Sequence, residues 1–146
     1  MCFYKTKESK VLVAKRNIKV YKIGIYANNN SFNPFFYIGF KYSVNQTVFE
    51  NVDFADTIER GLHSYITYEL APVASDMDLY FGRNFLYSIS ILMYTIYLGE
   101  FIIPKGATYC LNSVGEVVSD KLIYTGNHIK IVPGKGYNTR ELWKEK

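Results

Sequence analysis

Short apolar runs, separated by turn-forming residues, fill the second half of the chain and limit the folds open to it. The runs are ISILMYTIYLGEFIIP, ATYCL, EVVSDKLIYTG and HIKIVPG, and the turns between and after them are PKG, NSVG, GN and PGKG. β-Branched and aromatic residues recur in the runs, and glycine or proline bounds them, as is typical of strands. The pattern predicts consecutive strands of a mostly antiparallel sheet.

Composition and length support a single sheet-rich domain. Aromatic residues make up 17% of the 146 residues, with 14 Tyr and 10 Phe, and such side chains fit a pleated, half-buried surface. The one clear helix start is Ser75 or Asp76, in the stretch 69–87, and a single helical turn is expected just before Gly61. We therefore predict one α+β domain over residues 1–146, with about seven strands and one or two short helices.

The charge of the chain favours an anionic ligand without indicating a nucleic-acid binder. The net charge is +4, and the excess is concentrated in KTKESK and GKGYNTRELWKEK near the two ends. A dedicated nucleic-acid binder clusters more positive charge on one face. The two cysteines, Cys2 and Cys110, are far apart and suggest neither a disulfide framework nor a zinc site. We expect a cytoplasmic protein with no cofactor or metal.

No secretory leader or membrane span is expected. The most apolar stretch, residues 84–99, is shorter than a spanning helix requires and contains Asn, two Ser and several β-forming residues. It is better interpreted as a buried central strand, with or without a short helix before it. Free sheet edges and many aromatic side chains are compatible with a homo-oligomer.

Lys22 is an unusual residue for its position. Ile18 and Val20 mark the buried face of the strand IKVYKIGIY, and strict alternation places Lys22 on the same face. Two interpretations remain open. A bulge at Tyr21 and Lys22 returns the ammonium to solvent, or the ammonium faces a cleft or a partner, because an unpaired buried charge is costly.

Three further segments contain candidates for ligand contacts. In GLHSY, Ser64 shares its strand face with Leu62, whereas His63 and Tyr65 lie on the other face. Glu116 follows Gly115 at the start of a strand, where it either faces a ligand cleft or is an ordinary solvated glutamate. Lys135 and Arg140 belong to PGKGYNTR, which is either an anion-binding loop or part of a basic C-terminal tail over residues 134–146. The candidate ligand-binding residues are Lys22, Ser64, Tyr65, Glu116, Lys135 and Arg140.

The segments YK, HSYIT and GEVVS faintly resemble the motifs of ADP-ribosyltransferases. In that family an early basic residue holds the dinucleotide, a middle-strand Ser or Tyr shapes the nicotinamide pocket and a late Glu stabilises the ribose cation. The resemblance implies those places for Lys22, Ser64 and Glu116, with a lysine where the family has arginine or histidine. The segments GLHSY, IPKGATY and GEVVSDK also resemble small uncharacterised proteins of gut bacteria and their phages, which implies a mobile-element or defence context in a bacterial host cell.

Three functional hypotheses follow. The first is a non-catalytic binding module that captures a nucleotide-derived anionic small molecule, as in a phage protein that sequesters an immune signalling nucleotide. It depends on the aromatic richness, the positive charge and the lack of a convincing catalytic motif. The alternatives are a protein-interaction or inhibitor domain that uses exposed aromatic residues, and an enzyme of the ADP-ribosyltransferase type.

Overall fold

The computed structural model describes residues 3–7, 9–34, 40–54, 57–58, 60–66, 96–113 and 115–131. Within these ranges every regular element is a strand. The strands are β1 (Phe3–Tyr4), β2 (Val11–Val13), β3 (Ile18–Ala27), β4 (Ser31–Pro34), β5 (Tyr42–Ser43), β6 (Thr47–Phe49), β7 (Thr57–Ile58), β8 (Leu62–Tyr65), β9 (Ile96–Ile103), β10 (Thr108–Leu111), β11 (Glu116–Ser119) and β12 (Lys121–Ile131).

The predicted α+β class is wrong for this part of the chain. The described ranges hold no helix, and they contain twelve strands. At β7, where a helical turn was predicted, Ile58 instead pairs with Phe3 of β1. Ile58 is fully buried in a cluster with Phe3, Cys110 and Val118. Burying a large apolar side chain outweighs the weak helical preference of a short segment, which is why the local pattern misled.

Other predicted features lie partly or wholly outside the described residues. The helix predicted to begin at Ser75 or Asp76 and the segment 134–146 lie outside the described residues. Of the apolar stretch 84–99, residues 96–99 belong to β9, which lies between β3 and β12 in the sheet. No helix in the described part of the chain is long and apolar enough to cross a membrane.

Ten strands form one antiparallel sheet. Its main path runs β2-β10-β11-β8-β3-β9-β12-β6, and β4 and β5 extend from β3. β3 pairs along one edge with β9, and its other edge is shared between β8, at Tyr21, and β4, from Gly24 onward. β1 and β7 form a separate two-stranded sheet.

The sheet folds back on itself through the β4–β5 arm. β4 pairs with both β3 and β5, and Val44, directly after β5, forms an isolated parallel bridge with Tyr124 of β12. β12 pairs with β9, and β9 pairs with β3. These contacts complete a closed circuit of strands around the largest cluster of buried side chains.

Aromatic rings fill the interior of this circuit. Phe32 of β4 is fully buried, and its ring centroid lies 5.0 Å from that of Phe101 and 5.4 Å from that of Tyr124. The ring occupies space left by two glycines: a Cβ atom at Gly24 or at Gly99 would lie 2.5 Å from a carbon of the Phe32 ring. The edge-to-face contact of Phe32 with Phe101 adds to the stabilisation from area burial.

We expect Gly99→Ala to destabilise the protein by about 1–3 kcal/mol, because the new methyl group overlaps the Phe32 ring in a closely packed core. Urea unfolding of wild type and variant measures the loss. The Phe32→Leu background is the control, since a smaller side chain there leaves room for the methyl group. An equal loss in both backgrounds would contradict the assigned packing of the ring against Gly99.

Candidate functional site

Lys22 lies on the buried face of β3. The pairing of β3 with β9 runs without interruption from Ile18 opposite Ile103 to Gly24 opposite Tyr97. The β3 register shifts only against β4, between Gly24 and Tyr26. Of the two interpretations for Lys22, the bulge at Tyr21 and Lys22 is therefore wrong, and Lys22 shares a face with the fully buried Val20.

The Lys22 ammonium contacts a backbone carbonyl and an aromatic ring. The ammonium donates a hydrogen bond to the backbone carbonyl of His63 and lies 5.7 Å from the centroid of the Tyr42 ring. Burial lowers the pKa of Lys22 from its ordinary 10.5 to about 8, and the negative charge of Glu50 partly offsets this effect. Among the described residues the ion pair within 4.0 Å is that of Lys19 with Glu100, at 3.8 Å. Lys22 thus carries three donors with one described hydrogen bond.

Ser64 of β8 lies on the same face of the sheet as Lys22 of β3. Tyr21 of β3 is paired with Tyr65 of β8, and alternation of side chains places their neighbours Lys22 and Ser64 together on the opposite face. Ser64 is 2% exposed, and its Oγ has no hydrogen-bond partner among the described residues. A buried hydroxyl without a partner costs free energy. An ammonium with one described hydrogen bond and an unsatisfied hydroxyl therefore lie on the same face of two neighbouring strands.

Tyr65 and Glu116 lie on the other face. Glu116 begins β11, as expected, and pairs with Tyr65, so it shares the face of Tyr65 and Tyr21. The preceding turn is tight: Gly115 has a φ of 87°, and the Glu116 N–H donates to Asn112 Oδ1 at 3.0 Å. The sheet backbone thus separates Glu116 from Lys22 and Ser64. The arrangement required by an ADP-ribosyltransferase, with all three side chains in one cleft, is not formed.

The structure therefore divides the candidate residues. Lys22 and Ser64 come together on one face, and Tyr65 and Glu116 come together on the other. Lys135 and Arg140 lie outside the described residues. Within the described ranges no group of three or more His, Cys, Asp or Glu residues is arranged to hold a metal ion.

Sequence reasoning did not identify two neighbours of Lys22, Tyr42 and Glu50. Tyr42 reaches Lys22 because the β4–β5 arm folds over the sheet, and Glu50 directly follows β6 at the far end of the sheet path. No local pattern signals such contacts.

Glu100 was also missed, although its sequence carries a signal. A glutamate inside the apolar run YLGEFII is unusual. Glu100 is 6% exposed, and its Oε1 accepts hydrogen bonds from Thr125 Oγ1 and Asn127 Nδ2, both at 3.2 Å. These bonds and the ion pair with Lys19 compensate the buried carboxylate, which indicates a structural role.

Comparison of the chain with family models, with curated proteins and with solved structures gave no significant match.

The lowered pKa of Lys22 predicts a pH-dependent stability. Between about pH 8 and about pH 10.5 the folded state binds fewer protons at Lys22 than the unfolded state does, so the free energy of unfolding rises with pH in that window. Lys22→Met lacks this titration. We expect the stability of wild type relative to Lys22→Met to increase by up to about 3 kcal/mol across the window, measured by urea unfolding at both ends. A constant difference would contradict the buried position of the ammonium.

The unsatisfied hydroxyl predicts that Ser64→Ala stabilises the protein by about 1 kcal/mol, because the variant no longer buries an unpaired polar group. Ser119→Ala on the adjacent β11 is the matched control. Ser119 is also fully buried, but its Oγ donates to the Lys121 carbonyl at 3.1 Å, so its loss should destabilise. Urea unfolding measures both variants, and equal destabilisation would show that the Ser64 hydroxyl is satisfied.

Proposed function

We propose that the protein is a non-catalytic binding module that captures a nucleotide-derived anionic small molecule. The observation that supports this is that Lys22 of β3 and Ser64 of β8, on neighbouring strands, share the buried face of the sheet. Such a module needs a cation and a neutral donor held in a low-dielectric setting, where a hydrogen bond to a charged group is stronger than in water.

The anionic group of the ligand lies, in this proposal, between the Lys22 ammonium and the Ser64 hydroxyl. It accepts a hydrogen bond from each, which compensates both the buried charge and the unsatisfied hydroxyl. Lys22 as a residue is only partly buried, which leaves an approach from solvent. A negative ligand also favours the charged form of Lys22 and so raises its pKa again.

An aromatic side chain near this pair suits the base of a nucleotide. Tyr42, which lies under the Lys22 ammonium, packs edge-on against Phe40 with ring centroids 4.9 Å apart. Phe40 is 38% exposed, so part of its ring reaches the surface. Base stacking on an exposed aromatic ring, combined with a nearby cation for the phosphate, is a general mode of nucleotide recognition.

Capture is favoured over turnover by the position of Glu116. The carboxylate that would assist bond cleavage lies on the opposite face of the sheet from Lys22 and Ser64, and catalysis requires its groups within reach of the same reacting atoms. His63 offers its backbone carbonyl to Lys22, while its ring shares the face of Tyr65. The resemblance to phage proteins extends the proposal: the captured molecule is an immune signalling nucleotide of the bacterial host, held in its cytoplasm.

A ligand screen tests the proposal. NAD, ADP-ribose and cyclic mono-, di- and oligonucleotides are added separately, the melting temperature is recorded, and the recovered ligand is checked for chemical change. We expect one class to stabilise the protein and to return intact, since a ligand that binds the folded state raises its stability.

Variants measured with the same ligands test whether binding occurs at Lys22 and Ser64. Lys22→Met should weaken binding about 10- to 100-fold, because a hydrogen bond to a charged group contributes about 1.5–3 kcal/mol. Ser64→Ala should weaken it about fivefold, as for a neutral hydrogen bond. Lys130→Met removes an exposed lysine from β12 and is the control. Unchanged affinity in Lys22→Met would exclude this site, a cleaved ligand would exclude simple capture, and no stabilisation by any nucleotide would exclude the ligand class.

A further inference from the structure

Among the described residues, strand β2 is an outermost strand of the ten-stranded sheet, with one edge unpaired. It pairs with β10, through Val11 opposite Cys110 and Val13 opposite Thr108, and it is the last strand of the described path. An edge strand leaves backbone N–H and C=O groups without a neighbouring strand, which makes it a template for another extended chain.

The side chains of β2 are apolar and exposed. Val11 is 44% exposed, Leu12 45% and Val13 60%. The other edge strand on the path, β6, has a polar Thr47 and a partly buried Val48 beside its exposed Phe49. Partners that add a strand to an exposed edge gain affinity from backbone hydrogen bonds and specificity from side-chain pockets. The exposed apolar side chains of β2 offer additional surface to such a partner.

A hollow beside β2 provides such a pocket. Its volume is about 180 Å³, which is room for one medium-sized apolar side chain. The lining residues come from β2, from the end of β10 and from the adjoining turns: Thr6, Lys10, Leu12, Leu111, Asn112 and Ser113. Leu12 and Leu111 contribute the apolar side chains of this lining.

The positive charges around β2 favour a partner segment with acidic residues. Lys10 precedes the strand, Lys15 and Arg16 follow it, and all three are exposed. A second copy of this chain paired antiparallel along β2 would bring these cations towards each other, which is unfavourable. A segment with acidic residues on both sides of an apolar centre has the complementary charge.

We propose that β2 binds an extended peptide segment of another protein, which adds as a further antiparallel strand. The segment has an apolar centre, one side chain of which enters the hollow, and acidic residues that lie opposite Lys10, Lys15 and Arg16. This site is independent of the proposed nucleotide capture, because β10, β11 and β8 lie between β2 and the strand that carries Lys22.

Fluorescence anisotropy with two labelled synthetic peptides tests the proposal on the full chain. Both have a Val–Thr–Leu–Thr–Val centre, with a pair of glutamates at each end in one and a pair of lysines in the other. We expect saturable binding of the acidic peptide and at least about tenfold weaker binding of the basic one. Leu12→Glu should weaken binding of the acidic peptide at least about tenfold, and Lys15→Glu/Arg16→Glu should shift the preference towards the basic peptide.

Controls separate this site from general charge effects and misfolding. Lys41→Glu/Lys130→Glu makes the same charge change at two exposed lysines outside β2 and should retain the wild-type preference. The melting temperature of each variant confirms folding. No saturation by the acidic peptide up to about 1 mM, or equal binding by Leu12→Glu, would overturn the proposal. A wild-type dimer in sedimentation that Leu12→Glu abolishes would also overturn it, because a second copy would then occupy the edge.

Discussion

The Phe32 ring, held in the space left by Gly24 and Gly99, is the packing interaction on which the rest of the sheet depends. Because neither glycine has a side chain, the ring lies directly against β3 and β9 and fixes the β4–β5 arm over them. The arm then brings Tyr42 under the Lys22 ammonium and joins Val44 to Tyr124. The closed circuit and the surroundings of Lys22 therefore share one cause.

Two energetically unfavourable polar groups, the Lys22 ammonium and the Ser64 hydroxyl, lie on one face of neighbouring strands. Burial lowers the pKa of Lys22, which means that the folded state disfavours its charge. The Ser64 hydroxyl, on the same face of the neighbouring strand, lacks a described partner. The buried carboxylate of Glu100 is compensated instead, by Thr125, Asn127 and Lys19. Unfavourable local choices in an otherwise consistent fold are expected at functional sites. This contrast distinguishes the Lys22–Ser64 pair from a structural polar cluster.

The sequence predicted local geometry better than assembly. Alternation placed Ser64 and Tyr65 on opposite faces, and Gly115 marked the start of the strand at Glu116, because both properties depend on neighbouring residues alone. The direction of Lys22 stayed open, since it depends on whether β3 keeps its register against β9. The separation of Glu116 from Lys22 depends on β8 lying between β3 and β11, an order that no local pattern encodes. The helical turn predicted at β7 was wrong because the partner that buries Ile58 comes from the start of the chain.

Consecutive residues of β8 lie on opposite faces of the sheet. Ser64 shares a face with Lys22, and Tyr65 shares a face with Glu116. Because the side-chain period of a strand is two, inserting or deleting a single residue in β8 would exchange these two side chains between the faces. Both surfaces would change in one step. A substitution at either residue, by contrast, alters only one of the two surfaces.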